Sequence, residues 1–129
     1  MATETNDKPV SILVVDDSAF MRKRVRQALE PEGYSLVEAV SGTTALGEIE
    51  KHKFSCILTD LVMPDLDGFG LLAEIQRRQV AIPVVVVTAD IQKATRERCE
   101  GLGAAVLVQK PVPPEKLRSV VAEIVAERC

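Results

Sequence analysis

Four short apolar runs each end on a polar residue of a kind that does chemistry. Ile12-Leu13-Val14-Val15 runs into Asp16 and Asp17, Ile57-Leu58-Thr59 into Asp60, Val84-Val85-Val86-Val87 into Thr88, and Val106-Leu107-Val108-Gln109 into Lys110. Runs of this length, rich in Val, Ile and Leu with little alternation, suit strands buried on both faces of a parallel sheet. In an open parallel α/β sheet, ligands bind in the crevice beyond the strand carboxyl ends. The pattern therefore predicts that three carboxylates, a hydroxyl and an ammonium meet at one mouth. Such a set can hold a divalent cation, present a carboxylate nucleophile and neutralise a phosphoryl group.

The rest of the chain alternates in the way such a sheet requires. β-type runs lie near residues 11–15, 35–39, 54–59, 82–88 and 105–109. Helical spacing connects them: Met21, Val25, Ala28 and Leu29; Ala45, Leu46 and Ile49; Leu71, Leu72 and Ile75; Ile91, Thr95, Cys99 and Leu102; and Leu117, Val120, Val121, Ile124 and Val125. Ser18 and Ser41 suit N-caps, Gly33 and Gly103 suit the ends of the first and fourth helices, and Pro113 and Pro114 suit the first turn of the fifth. Five strands alternating with five helices predict a doubly wound α/β fold with right-handed crossovers. The second strand, from Tyr34 to Ala39, carries polar residues and suits a sheet edge. A chain of 129 residues has room for one domain, expected over residues 10–129, after a loose polar arm at residues 1–9.

Composition excludes several classes of function. A net charge of -3, no Trp and no basic stripe with interleaved aromatics argue against nucleic acid. Cys56, Cys99 and Cys129 are odd in number and share no metal-ligand spacing, so Cys56 and Cys99 read as small core residues of a reducing cytosol. Cys129, the last residue, lacks the tail of a prenylation box. Neither a signal segment nor a run of membrane-spanning length is present, so a cytoplasmic location without membrane contact is expected.

Asp16, Asp17 and Asp60 brought together would repel one another and raise one another's pKa values. Mg²⁺ is the fitting relief, a hard ion held by carboxylates, water and phosphate oxygens; no His or Cys stands nearby in sequence to favour zinc. A carboxylate beside Mg²⁺ can attack phosphorus and become an acyl phosphate, while Lys110 and Thr88 hold phosphoryl oxygens. Taken singly, a strand-end Asp is commonly a helix cap and a strand-end Lys a solvated group. Their joint placement on four strands is what carries the functional reading.

These residues bring the chain to a family. Val15-Asp16-Asp17-Ser18, then the stretch from Asp60 through Met63-Pro64-Asp65-Leu66-Asp67 to Gly68, then Val87-Thr88-Ala89, then Lys110-Pro111 together resemble the receiver domain of two-component response regulators, from about Val10 to Glu127. The resemblance implies a flavodoxin-like sheet in strand order 2-1-3-4-5. It also implies roles. Asp60 would be the phosphoacceptor, taking phosphate from a phosphohistidine of a histidine kinase or histidine phosphotransfer protein. Asp17 and Asp60 would ligate Mg²⁺ directly, Asp16 mainly through water, and Val62 through its backbone carbonyl. Thr88 would be the switch hydroxyl and Lys110 the phosphate-pairing lysine, with the Lys110–Pro111 bond cis. In the loop after Asp60, Pro64 fixes φ, and Gly68 can take angles closed to other residues.

One position departs from the family. Many receivers place an aromatic three residues before the lysine, where it rotates inward on activation; here Leu107 stands there. Coupling is then expected through the loop from Thr88 to Asp90. Val62 and Asp90 would flank the phosphoryl group, and of the two only Asp90 could orient water. Arg22, Lys23, Arg24 and Arg26 make the first helix basic, either as a solvated face or as part of a kinase-docking surface; His52 is expected on the surface.

The leading expectation is a single-domain response regulator: a monomer without an output module of its own that signals by phosphorylation-dependent binding to a downstream protein. Its output would be chemotaxis-type or that of a phosphorelay shuttle, and its only catalysis its own phosphorylation and dephosphorylation. The alternative is a small Mg²⁺-dependent aspartyl-phosphate phosphatase like the haloacid-dehalogenase enzymes. Their Asp-x-Asp motif would require an acid where Ser18 stands, and the chain has no cap domain for a substrate. A flavodoxin-like nucleotide binder would need a Gly-rich phosphate loop after the first strand, where Asp16-Asp17-Ser18 is its electrostatic opposite.

Overall fold

A computed structural model describes residues 10–127; the arm expected over residues 1–9, and Cys129, lie outside the described residues. The apolar runs form five strands, β1 (Ser11–Val15), β2 (Ser35–Ala39), β3 (Cys56–Thr59), β4 (Val84–Thr88) and β5 (Val106–Gln109). All neighbours pair in parallel, in the order β2-β1-β3-β4-β5. The polar second strand is at an edge, as its composition required, and the central β1, β3 and β4 are almost wholly buried. The helices are α1 (Ala19–Leu29), α2 (Gly42–Lys51), α3 (Gly68–Arg77), α4 (Lys93–Gly101) and α5 (Pro114–Glu127).

Side-chain alternation along the strands divides the core in two. Leu13, Val15, Ile57, Val84 and Val86 face α2, α3 and α4 through Ala45, Leu71, Leu72, Ile75 and Cys99. Ile12, Val14, Cys56, Leu58, Val85 and Val108 face α1 and α5 through Ala28, Leu29, Leu117, Val121 and Ile124. With helices on both faces, the sheet has no exposed face. From β1 the chain crosses to β2 on one side and then to β3 on the other, so the strand order reverses beside β1. A doubly wound sheet opens its crevice at that point, beyond the carboxyl ends of β1 and β3.

Caps fix where the helices begin. The Ser18 hydroxyl accepts from the Met21 N–H (3.2 Å), that of Ser41 from the Thr44 N–H (3.1 Å), and the Asp67 carboxylate from the Gly70 N–H (2.8 Å). Pro114 opens α5, where a missing N–H is harmless.

Several boundaries differ from the sequence pattern. Strand β4 starts at Val84, two residues late, because Pro83 has no N–H for the ladder, although its carbonyl still accepts from Ile57. Strand β3 also starts two residues late, at Cys56. Helix α1 stops at Leu29 and passes into a 3-10 turn (Glu30–Glu32) that Gly33 closes at φ 86°. Helix α4 starts at Lys93, leaving Ile91 in a turn where the Gln92 N–H donates to the Asp90 carboxylate (3.1 Å). Gly103 lies past the end of α4 at φ 89°, its N–H on the Glu100 carbonyl (3.0 Å).

Candidate acidic site

Beyond the end of β1, Asp16 remains attached to the sheet: its N–H donates to the Ala39 carbonyl of β2 (3.1 Å). Its carboxylate accepts the Ser18 N–H (2.9 Å), so the start of α1 helps to aim it. Asp16 is buried and Asp17 exposed. At the end of β3 the Asp60 N–H donates to the Val15 carbonyl (3.1 Å), and its carboxylate accepts the Leu61 N–H (2.7 Å). Carboxylate oxygens of Asp16, Asp17 and Asp60 all lie within 4.8 Å of one another. Alternation along a strand would have separated Asp16 from Asp17; the chain has left strand geometry there, and both reach the mouth.

Lys110 extends its ammonium between two of these groups, 3.3 Å from Asp16 Oδ2 and 3.2 Å from Asp60 Oδ2. It arrives from the end of β5 with its N–H on the Thr88 carbonyl (2.8 Å), and its bond to Pro111 is cis. Thr88 is buried at the end of β4 and lines a cleft with Leu61, Val62, Met63 and Asp90. Its hydroxyl accepts the Asp90 N–H (3.1 Å). Val62 is 79% exposed at the rim.

The charges do not balance locally, with three carboxylates against one ammonium. Burial pushes the Asp16 carboxyl above its ordinary value; the Ser18 N–H and Lys110 pull it back, and Asp60 adds to the rise. Burial alone would lower the Lys110 pKa, but the Asp60 and Asp16 carboxylates outweigh it and raise the pKa. The donor set is all oxygen and short of positive charge, which fits a hard divalent cation such as Mg²⁺.

The loop after Asp60 corrects one expectation. Gly68 does not need unusual angles: the positive φ in this loop belongs to Asp65, at 63°. Gly68 is needed for closeness, since a Cβ there would strike the Asp60 carbonyl and approach the Leu61 Cα to 2.7 Å. Asp90 lines the cleft beside Val62 and Thr88. Its two carboxylate oxygens accept the Gln92 N–H and the Thr95 hydroxyl (2.7 Å), so the side chain is turned to α4.

The basic first helix divides. Arg22 and Arg26 pair with Glu38 of β2 (2.8 Å each), and Arg26 also with Glu30. Lys23 and Arg24 make no ion pair among the described residues, and Arg24 stands 5.8 Å from the ring of the exposed Phe20. His52 is on the surface before β3, 3.4 Å from Glu48 and tilted against Phe54. Sequence reasoning missed that Arg22 also donates to the Asp16 backbone carbonyl (2.7 Å). It also missed the Asp90–Thr95 link. Each contact joins separate elements, and nothing in the linear spacing announces them.

Comparisons agree with this geometry. Among curated relatives, the chain is 36% identical over 115 residues to the transcriptional regulatory protein GlrR of Escherichia coli (strain K12), covering 85% of this chain and 25% of that protein. It is 32% identical over 126 residues to the sensor histidine kinase RcsC of Salmonella typhi, covering 98% of this chain and 13% of that protein. The chain thus spans a quarter or less of these two relatives. Among solved structures it superposes on chemotaxis protein CheY4 of Vibrio cholerae with a TM-score of 0.86 at 26% identity, covering 91% of this chain and 99% of that one. A CheY-like response regulator receiver domain protein from Methanospirillum hungatei JF-1 gives a TM-score of 0.88 at 28% identity, covering 94% and 97%. The family model described as the response regulator receiver domain matches residues 12–122, and the chain belongs to that family.

Proposed function

We propose that this chain is a phosphorylation-driven binding switch in which Asp60 accepts a phosphoryl group. The observation that carries the reading is the set of three carboxylates within 4.8 Å, with Lys110 bridging two of them, at the point where the strand order reverses. The donor is a phosphohistidine of a histidine kinase or histidine phosphotransfer protein. An Asp60 carboxylate oxygen attacks phosphorus, the P–N bond breaks, and its electron pair returns to the imidazole. Asp16, Asp17, Asp60 and the Val62 carbonyl are the residues that would hold Mg²⁺. When bound, that ion neutralises charge on the transferring group. Lys110 pairs with one phosphoryl oxygen as a point charge, and the Thr88 hydroxyl donates to another.

The downstream step is binding of a protein target. The new phosphoryl group gives Thr88 an alternative partner, and the loop from Thr88 to Asp90 shifts population. Residues 10–129 would act as one cytoplasmic, monomeric receiver unit. Output of chemotaxis type or as a phosphorelay shuttle is in keeping with the likeness to the chemotaxis protein CheY4 of Vibrio cholerae. Phe20, Lys23 and Arg24 on the outer face of α1 are the residues assigned to donor docking.

The test is intact mass after incubation with a small phosphodonor and Mg²⁺. One phosphoryl adduct is expected, dependent on Mg²⁺ and absent from Asp60→Asn. An adduct that survives in Asp60→Asn refutes the assignment. Steady turnover of generic phosphate esters would favour a phosphatase. Amide shifts at α4 and β5 with a phosphoryl mimic test the coupling, and shifts confined to the site would refute it.

A further inference from the structure

We propose that Arg22 is a positioning residue for the acidic pair: it fixes the peptide between Asp16 and Asp17 so that both carboxylates face one mouth. The inference rests on the reading that this site holds Mg²⁺. Successive residues of a strand send their side chains to opposite faces. Asp16 and Asp17 nevertheless place oxygens within 4.8 Å of each other. The peptide joining them must therefore be held out of strand geometry, and its orientation decides where Asp17 points.

Both sides of Asp16 are anchored to the same strand. Its N–H is held directly by the Ala39 carbonyl of β2 (3.1 Å). Its carbonyl is held by Arg22 Nη1 (2.7 Å), while Arg22 Nε is held by Glu38, the residue before Ala39 (2.8 Å). Arg26 grips the other Glu38 oxygen (2.8 Å), which fixes that carboxylate in turn. The Arg22 side chain is only 15% exposed. A guanidinium suits the task because its planar fork donates in two directions at once, which an ammonium on a flexible stem does not reproduce.

Charge and positioning predict opposite signs. A cation beside the site repels Mg²⁺, so if Arg22 mattered only through its charge, its removal would tighten metal binding. If it holds the peptide, removal loosens binding. The experiment is a Mg²⁺ titration of ¹⁵N-labelled protein without phosphodonor, following the Asp17, Asp60 and Leu61 amides. Wild type is compared with Arg22→Ala, Arg22→Lys, Glu38→Gln and Asp17→Asn, with urea midpoints measured alongside. Arg22→Ala is expected to weaken Mg²⁺ binding about tenfold, the low end for residues that orient ligands. Arg22→Lys recovers part of that loss, and Glu38→Gln falls between wild type and Arg22→Ala. Binding by Arg22→Ala that is unchanged or tighter overturns the proposal. If Arg22→Ala does not fold, Glu38→Gln decides, and an unchanged affinity there overturns it equally. Wild type that shows no Mg²⁺-dependent shifts refutes the metal reading itself. Loss in Asp17→Asn with none in the Arg22 variants refutes only the role of Arg22.

Discussion

Replacing Lys110 with methionine isolates what the ammonium contributes, because the aliphatic stem is nearly retained. The ammonium lies 3.3 Å from Asp16 Oδ2 and 3.2 Å from Asp60 Oδ2. At such separations each pair is worth about 1.3 kcal/mol at the dielectric constant of water and about 5 kcal/mol at an effective value of 20. Side-chain exposures of 18% for Lys110, 10% for Asp16 and 15% for Asp60 place the group between these limits. Burial opposes the gain and is the largest single influence on the lysine. A net loss of about 2 kcal/mol in Lys110→Met is expected, between the ranges for exposed and buried pairs. Roughly 120 ordered residues at about 2.1 cal/mol/K each give an unfolding entropy near 250 cal/mol/K, so the midpoint should fall by about 8 °C.

The pH dependence follows from the directions of the shifts. The Lys110 pKa is raised above 10.5 in the fold, so its contribution is fully present below that value and is lost only as pH rises through the folded value. The gap between wild type and variant should be flat from about pH 6 to 9. It should narrow in acid as Asp16 protonates, ahead of its ordinary 3.8 because burial raises it. Mg²⁺ at ten times its Kd adds about 1.4 kcal/mol to any protein that binds it. At one fixed concentration it should stabilise the variant more than wild type, since it replaces the missing charge. Differential scanning calorimetry across pH, with and without Mg²⁺, measures all of this. A variant as stable as wild type at neutral pH, or a gap that does not narrow as pH falls through the raised Asp16 value, would refute the electrostatic account.

Asp16→Asn should raise the urea midpoint of the metal-free protein at neutral pH: a carboxyl whose folded pKa is raised supports the fold in acid and loses that support as pH rises through the folded value. The same variant should gain less from Mg²⁺ than wild type. Gly68→Ala should cost about 1–3 kcal/mol, because the new methyl meets backbone of Asp60 and Leu61, which has no rotamer by which to yield. Cys56 is buried with its thiol pushed up to about 12, so mass mapping should find it unmodified by a thiol reagent in native protein and modified in urea.

The sheet was legible because the strands that matter most are nearly pure hydrocarbon. Val84 to Val87 and Ile12 to Val15 cannot be covered by anything but helices on both faces, and the polar residues Ser35 and Glu38 could sit only at an edge. The acidic residues were legible for the same reason, since the end of a buried strand is the first place a charge can reach water. Contacts between elements were not. The pattern gives Arg22 an outward position on α1 but cannot say that Glu38 waits opposite it, because strand registry sets that distance. The sequence places Asp90 beside the site, where its carboxylate could orient water, but does not show its partners. The hydroxyl of Thr95, in the first turn of α4, donates to that carboxylate, and Ile91 and Gln92, the first two residues of the helical pattern, lie in a turn before the helix. The sequence offers Gly68 for its freedom of backbone angle, whereas the fold uses its missing side chain: sequence reveals that a side chain is absent, and only packing reveals what it would have struck.

The Thr88–Asp90 contact sets the scale of any signal that leaves the site. The Thr88 hydroxyl accepts the Asp90 N–H, and the Asp90 carboxylate holds the Gln92 N–H and the Thr95 hydroxyl at the start of α4. Arg98, in the last turn of α4, stacks at 3.8 Å over the Phe69 ring of α3. Helix α4 is thus tied at its start to the loop bearing Thr88 and near its end to a neighbour. Leu107 is packed into the core on the α4 side of the sheet, where a leucine has no polar tip to balance between water and interior. Under the proposed switch, Thr88 cannot turn toward Asp60 without changing its bond to the Asp90 N–H. A neutral hydrogen bond of this kind is worth about 1 kcal/mol, whereas one to a charged acceptor reaches about 1.5–3 kcal/mol. The difference, about 0.5–2 kcal/mol, would bias α4 by roughly twofold to thirtyfold. A chain that transmits through a capping carboxylate in place of a rotating ring should therefore show a graded population shift at α4, with the largest amide changes at Asp90 and Thr95 and the smallest beyond Arg98.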